Sequence, residues 1–451
     1  MDQAFKSALL EVIRLDDTQR FKALTYGLDG NYQLDDQYLT QICALCDSPG
    51  CMALSISMGA PVNLDDPEQM PPLNCASFSG SVETACLLIE AGARMNSIYK
   101  GESALQMAVR SSTPLHVKML LDAGADLIPL EYAARYAHSP EVLLHFIDNG
   151  DKNAAIHEAI CAGRQANVKA LIDHGAKPNL MNLLTACSFN FDIIVQMILD
   201  TGVIPDDTAM QTCIYWSSIQ AMEVLLKWGL KPIDYDIHYA ILHNKPISLT
   251  RLLDEGCSVE CPINGTFPIH VAARHGRTEC LKILLARGAN INASDDLGCT
   301  PVHWAAIRRK DDTLKVILEA GGLAIIDESS NDKYMPQIKP PVEDWSPIHA
   351  AVEGRGTETI EDLLQAGAKQ IKMWDGRSPL HIAVQNARND LFATLIKYGA
   401  DLKLMNAHYQ TPIELALSMG RQDLADELRN LAPADEEAAQ KAKEIADRVS
   451  D

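Results

Sequence analysis

The chain has 451 residues, of which 47% are hydrophobic, 22% charged and only 6% aromatic, and its formal net charge is −21. That balance excludes a disordered polyelectrolyte, and so much negative charge works against a nucleic-acid or anionic-membrane ligand for the chain as a whole, though a local basic patch stays open. Few aromatics and many small residues suit thin layers of packed helices better than a sandwich or barrel.

The chain opens Met1-Asp2-Gln3-Ala4-Phe5-Lys6, without the basic stretch and apolar run of a secretory signal. Nowhere does an uninterrupted apolar segment approach the ~18 residues a membrane span needs. A cytoplasmic protein is expected, with no membrane partner. Residues 1–60 read as degenerate helix pairs, roughly 3–27 and 36–58. The second contains Cys43-Ala44-Leu45-Cys46, with Cys51 following. A C-x-x-C can bind zinc or cycle as a redox pair. No second C-x-x-C and no neighbouring His pair accompanies it, and i and i+3 share one helix face. Core thiols are therefore expected, with a redox or metal role for Cys43, Cys46 and Cys51 as the alternative. Cys257 and Cys261 are a weaker version of the same pattern at a turn. The other cysteines are scattered in apolar runs such as Ala85-Cys86-Leu87 and read as reduced core thiols.

From residue 50 onward the punctuation becomes regular. Glycines that close an apolar helix fall at Gly59, Gly92, Gly124, Gly150, Gly175, Gly202, Gly229, Gly256, Gly288, Gly321, Gly367 and Gly399. Their spacing is 32 or 33 residues up to Gly124 and again from Gly256 to Gly321, but 25 to 27 residues between Gly124 and Gly256. Residues 61–124 thus form one block of full repeats. Residues 125–256 form a second of short ones, whose first helices (Leu130-Glu131-Tyr132-Ala133-Ala134; Leu183-Leu184-Thr185-Ala186) carry no fixed motif. Two helices and a turn need about 25 residues, so the short units are expected to keep the helix pair and lose the β-hairpin finger between units. Residues 257–432 are the best-formed block. The span of 46 residues between Gly321 and Gly367 holds an insertion at 325–345, polar and Pro-containing. It is either a tolerated surface loop or a recognition loop anchored by Tyr334 and Met335. Residues 433–451 read as a polar C-terminal helix that caps the last unit or frays.

In the best-formed block the repeat opens Thr266-Phe267-Pro268-Ile269-His270-Val271-Ala272-Ala273 and closes Leu284-Leu285-Ala286-Arg287-Gly288-Ala289. It recurs as Thr300-Pro301-Val302-His303-Trp304-Ala305-Ala306, Ser346-Pro347-Ile348-His349, Ser378-Pro379-Leu380-His381 and Thr411-Pro412-Ile413-Glu414. Thr or Ser suits an N-cap, Pro the first helical turn, and Gly the left-handed residue after the second helix. The pattern resembles the ankyrin repeat, whose signature is Thr-Pro-Leu-His-x-Ala-Ala followed by Leu-Leu-x-x-Gly-Ala. That resemblance implies an all-α ankyrin-repeat solenoid of about 14 helix pairs, with short β-hairpin fingers mainly in the N- and C-terminal blocks. It also implies a structural role for His270, His303, His349 and His381, which bond neighbouring loops rather than a metal.

Nothing in the sequence requires chemistry. There is no Gly-rich phosphate loop, no metal-ligand spacing beyond the cysteines above, and no catalytic residue to name. A triad assembled in space remains the alternative. The expected function is binding of a partner protein by a monomeric, non-catalytic scaffold without cofactor or metal, in which ankyrin proteins use the finger tips and the exposed ends of first helices. Carried over residue by residue, those positions are Tyr99 in the N-terminal block and Trp345, Met373, Trp374, His408 and Tyr409 in the C-terminal one. A basic stripe, Arg274, Arg308 and Arg309, follows the Ala-Ala pairs and either meets an acidic segment or balances surface charge. The short, degenerate repeats are similar in style to bacterial ankyrin proteins. In that setting the chain could be an effector translocated to a host cell, or an acidic immunity protein that neutralises a toxin.

Overall fold

The computed structural model describes residues 3–322, 347–353, 358–368, 370 and 376–431. The insertion at 325–345 and the C-terminal segment 433–451 lie outside the described residues. Two compact units divide the chain, residues 1–230 and 231–451.

The first unit holds eight helix pairs: Gln3–Arg14 with Thr18–Leu24, Leu39–Leu45 with Pro49–Ser57, Pro72–Ser79 with Val82–Glu90, Ala104–Ser111 with Pro114–Asp122, Leu130–Tyr136 with Pro140–Leu144, Lys152–Cys161 with Gln165–Asp173, Leu180–Ser188 with Asp192–Asp200, and Asp207–Trp216 with Ile219–Trp228. The second unit holds six: Asp234–Leu242 with Pro246–Asp254, Pro268–His275 with Thr278–Ala286, Pro301–Ile307 with Asp311–Glu319, Pro347–Glu353 with Glu358–Gln365, Pro379–Gln385 with Phe392–Lys397, and Pro412–Ser418 with Gln422–Leu431. Within each unit, first helices pack mainly on first helices of the adjoining pairs and second helices on second helices, giving two layers. The fold is an all-α solenoid of 14 helix pairs among the described residues.

Helices this short are marginal alone and hold together by burying a face against both the partner helix and the adjoining pair. Thr278–Ala286, for example, buries Cys280, Leu281 and Leu284 completely. Ala272 and Ala273, equally buried, let the first helices come close.

Connections between pairs fall into two lengths. Residues 58–71, 91–103, 255–267, 287–300 and 398–411 make long connections, while 123–129, 145–151, 174–179, 201–206 and 229–233 make short ones. Paired strands or a bridge occur at Gln33–Leu34 with Gln37–Tyr38, at Ile98–Tyr99 with Glu102–Ser103, and at Ile263 with Thr266. Their central residues, Asp35-Asp36, Lys100-Gly101 and Asn264-Gly265, all have positive φ. Two left-handed residues in succession make the type I′ turn whose twist matches an antiparallel hairpin.

The closing glycines are left-handed, from φ +83° at Gly59 to +112° at Gly229. Gly150 departs from this expectation. The helix Pro140–Leu144 stops early, and Gly150 instead lies against the start of its own pair's first helix, where an added Cβ would sit 2.7 Å from Leu130 Cβ.

The third residue of the first helix repeats one device through both units. Its side chain accepts the N-cap backbone N–H, at 2.7 Å for Gln41, 2.8 Å for Gln106, 3.0 Å for Asn182, 3.1 Å for His303, 3.2 Å for His381 and 2.8 Å for Glu414. Because imidazole Nδ1 accepts, Nε2 carries the proton. It then reaches forward to the next finger, from His270 to the Ala293 carbonyl and from His381 to the Gln410 carbonyl, both at 2.9 Å. Gln41 does the same with its amide, donating to the Met70 carbonyl at 2.9 Å. These histidines tie successive repeats together.

Candidate binding surfaces

In the second unit the finger at 406–410 is built on Asn406. Its side-chain oxygen accepts the backbone N–H groups of His408 at 2.9 Å and Gln410 at 3.0 Å, and its own N–H donates to the Gln410 carbonyl. This fixes the tip, and His408 and Tyr409 stand out from it into solvent, with Tyr409 84% exposed. Tyr409 also holds a left-handed backbone, φ +57°. An aromatic residue in that region is strained. Trp345, Met373, Trp374 and Tyr334 lie outside the described residues.

The basic stripe begins at Arg274, which is half-buried. Its guanidinium lies 4.7 Å from the centre of the Trp304 ring. Trp304 in turn donates its indole N–H to buried Asp295 at 2.6 Å. Arg274 is therefore a positioned cation stacked on an anchored ring. Arg308 and Arg309 are exposed at the end of the next first helix. His275 has its pKa lowered, first by burial and then by Arg274, Arg277, Arg308 and Lys310. That shift extends the stripe to Arg277 and Lys310, two cations the sequence reading did not include.

In the first unit Tyr99 is half-buried in its hairpin, with the Lys100 ammonium 5.2 Å from its ring centre. Beside it the ends of the first helices enclose a cavity of about 320 Å³, lined by Phe78, Glu102, Met107, Arg110, Ser111, Tyr136, His138 and Arg164. Glu102 accepts from Arg110 at 2.8 Å and from the Tyr132 hydroxyl at 3.1 Å. Tyr136 packs 4.5 Å from Tyr132, centre to centre, under the guanidinium groups of Arg110 and Arg135. None of these lining residues was singled out from the sequence. One signal was present: Phe78, Arg110, Tyr136 and Arg274 are each the seventh residue of their first helix.

The thiols are poor nucleophiles. Burial pushes Cys43 up to about 12 and raises Cys46 and Cys51 as well, so none is a thiolate near neutral pH. All twelve cysteines are free. Among the described residues no group of three or more His, Cys, Asp or Glu is placed to hold a metal ion, and no helix is long and apolar enough to cross a membrane.

A family model described as "Ankyrin repeats (3 copies)" matches residues 237–332, 323–406 and 348–436. The chain is similar to the E3 ubiquitin-protein ligase KEG of Arabidopsis thaliana, 25% identical over 272 residues, which are 50% of this chain and 17% of that protein. It is also similar to Rabankyrin-5 of Mus musculus, 26% identical over 224 residues, 45% of this chain and 18% of that protein. The chain thus spans less than a fifth of the length of either relative. The crystal structure of the ankyrin repeat domain of Bcl-3 is 26% identical, covering 49% of this chain and 97% of that one, with a TM-score of 0.40.

Proposed function

The chain belongs to the ankyrin-repeat proteins, and from that premise we propose that it is a non-catalytic binding protein that holds a partner protein by its finger tips and the ends of its first helices. The observation that carries the reading is Tyr409, a large aromatic side chain held in a strained backbone conformation and presented to solvent. Strain of this kind has a folding cost and persists where a function uses it, and exposed aromatic and arginine side chains are the groups that dominate interface energetics. Arg274, held on Trp304, and exposed Arg308 supply cationic groups at the ends of two first helices of the same unit.

Ankyrin folds are typically scaffolds, and the raised thiols support a role without covalent catalysis. Twelve free cysteines fit a reducing, cytoplasmic setting. Two narrower roles separate on one observation each. A bacterial effector would carry a reporter into a host cell, and an immunity protein would rescue growth from a co-expressed toxin. The general reading is tested by capture from the source organism's lysate with the intact chain and with a Tyr409→Gly, Arg274→Glu double variant. A prey enriched on the first and depleted on the second is expected. Identical prey on both, or none, overturns the assignment.

A further inference from the structure

Arg164 is the unusual member of the cavity in the first unit. It lies at the turn between the helices Lys152–Cys161 and Gln165–Asp173, half-buried. Its Nε donates to the Arg135 carbonyl at 3.3 Å, which leaves the terminal nitrogens free. The other two arginines of this neighbourhood have carboxylate partners, Arg110 with Glu102 at 2.8 Å and Arg135 with Glu158 at 2.7 Å. No carboxylate among the described residues pairs with Arg164. Its charge therefore stands uncompensated at the wall of a concave site, in a chain whose net charge is −21. The apolar part of the remaining wall is Phe78, 67% exposed, buried Met107 and half-buried Tyr136, and the polar part is Ser111, His138 and the mutually paired Glu102 and Arg110.

We infer that this cavity is a docking site for an extended segment of a partner protein that presents an Asp or Glu side chain beside a bulky apolar residue. A guanidinium with free terminal nitrogens matches a carboxylate in a two-point hydrogen-bonded pair. An unpaired guanidinium at the wall of a concave site gains a charge-assisted hydrogen-bonded partner when a carboxylate arrives. Phe78 and Tyr136 take the neighbouring apolar side chain, which an inorganic anion would leave uncovered. A basic segment is disfavoured because it would place like charge against the unpaired Arg164. The inference rests on the binding role proposed above but concerns a different surface, in the other compact unit.

The test uses a phage-displayed library of random dodecapeptides selected on the full chain, followed by fluorescence anisotropy with the most enriched peptide. The enriched sequences are expected to share Asp or Glu next to a large apolar residue. Changing that acid to its amide in the peptide, or Arg164→Met in the protein, is expected to weaken binding at least about tenfold, and the two changes together no more than either alone. Tyr409→Gly and Arg274→Glu are expected to leave the peptide's affinity unchanged. The amide peptide on the unaltered chain keeps the test valid should Arg164→Met unfold. An acid-free consensus, no enrichment, or affinity indifferent to both changes overturns the inference. Loss of lysate prey with Tyr409→Gly, Arg274→Glu alongside such a failure would sink this site alone and leave the general binding role standing.

Discussion

Tyr409 occupies in its finger the position that Gly298 occupies in the finger three repeats earlier. Each backbone N–H donates to the carbonyl of the residue that starts the turn, Asn406 for Tyr409 at 3.0 Å and Asp295 for Gly298 at 2.9 Å. Both are left-handed, φ +57° and +73°. Glycine takes that conformation freely, and tyrosine does not. Tyr409→Gly is therefore expected to stabilise the chain by up to about 1 kcal/mol, read as a higher urea midpoint. The same variant is expected to bind the partner less well, a stability–function trade.

Trp304 links the finger to the stripe. Its indole N–H and the backbone N–H groups of Leu297 and Cys299 all point to the Asp295 carboxylate. Trp304→Phe keeps the ring under Arg274 and removes one donor from a buried acceptor. A loss of about 1–3 kcal/mol is expected, with faster hydrogen exchange at the Leu297 and Cys299 amides.

Three buried histidines set a pH dependence. Burial pushes His116 down to about 4 and lowers His238 and His270. In the unfolded chain an imidazole titrates near 6.5. Between those values the unfolded chain takes up a proton that the folded chain refuses. Stability is therefore full above about pH 6.5 and is lost as the pH falls toward 4. The urea midpoint should drop over that window, and His116→Gln should flatten the drop. A midpoint independent of pH from 7 to 4.5 would contradict this.

Gly376 shows how tightly fingers stack. With φ +75°, an added Cβ would sit 2.7 Å from the Ala407 backbone nitrogen. Gly376→Ala is expected to cost about 2 kcal/mol or more. Heat or urea unfolding checks it, and unchanged stability would mean the two fingers do not stack there.

The parts of this fold that are local were legible in the sequence. The glycine spacing gave the units because a left-handed residue closes nearly every second helix, and the histidines were assigned through the family resemblance that their motif carries. Gly150 was misplaced in that pattern because its role is a close approach to Leu130, which spacing alone cannot reveal. The cavity in the first unit was not legible for a related reason. Phe78, Arg110, Tyr136 and Arg164 come from four different helix pairs, two in the block of full repeats and two in the short block. Only packing brings them together. Arg274 was legible as a groove cation, but its ring partner Trp304 was not, since one sits at the end of its helix and the other in the middle of the next.

The central claim is that this chain works by binding a protein through these surfaces. Its most direct test is quantitative affinity capture from the source organism's lysate, comparing the intact chain with the Tyr409→Gly, Arg274→Glu double variant after both are shown to fold. At least one protein should be enriched on the intact chain and fall by about tenfold or more on the variant, the effect of losing two interface anchors. The same proteins retained equally by both chains would contradict the account.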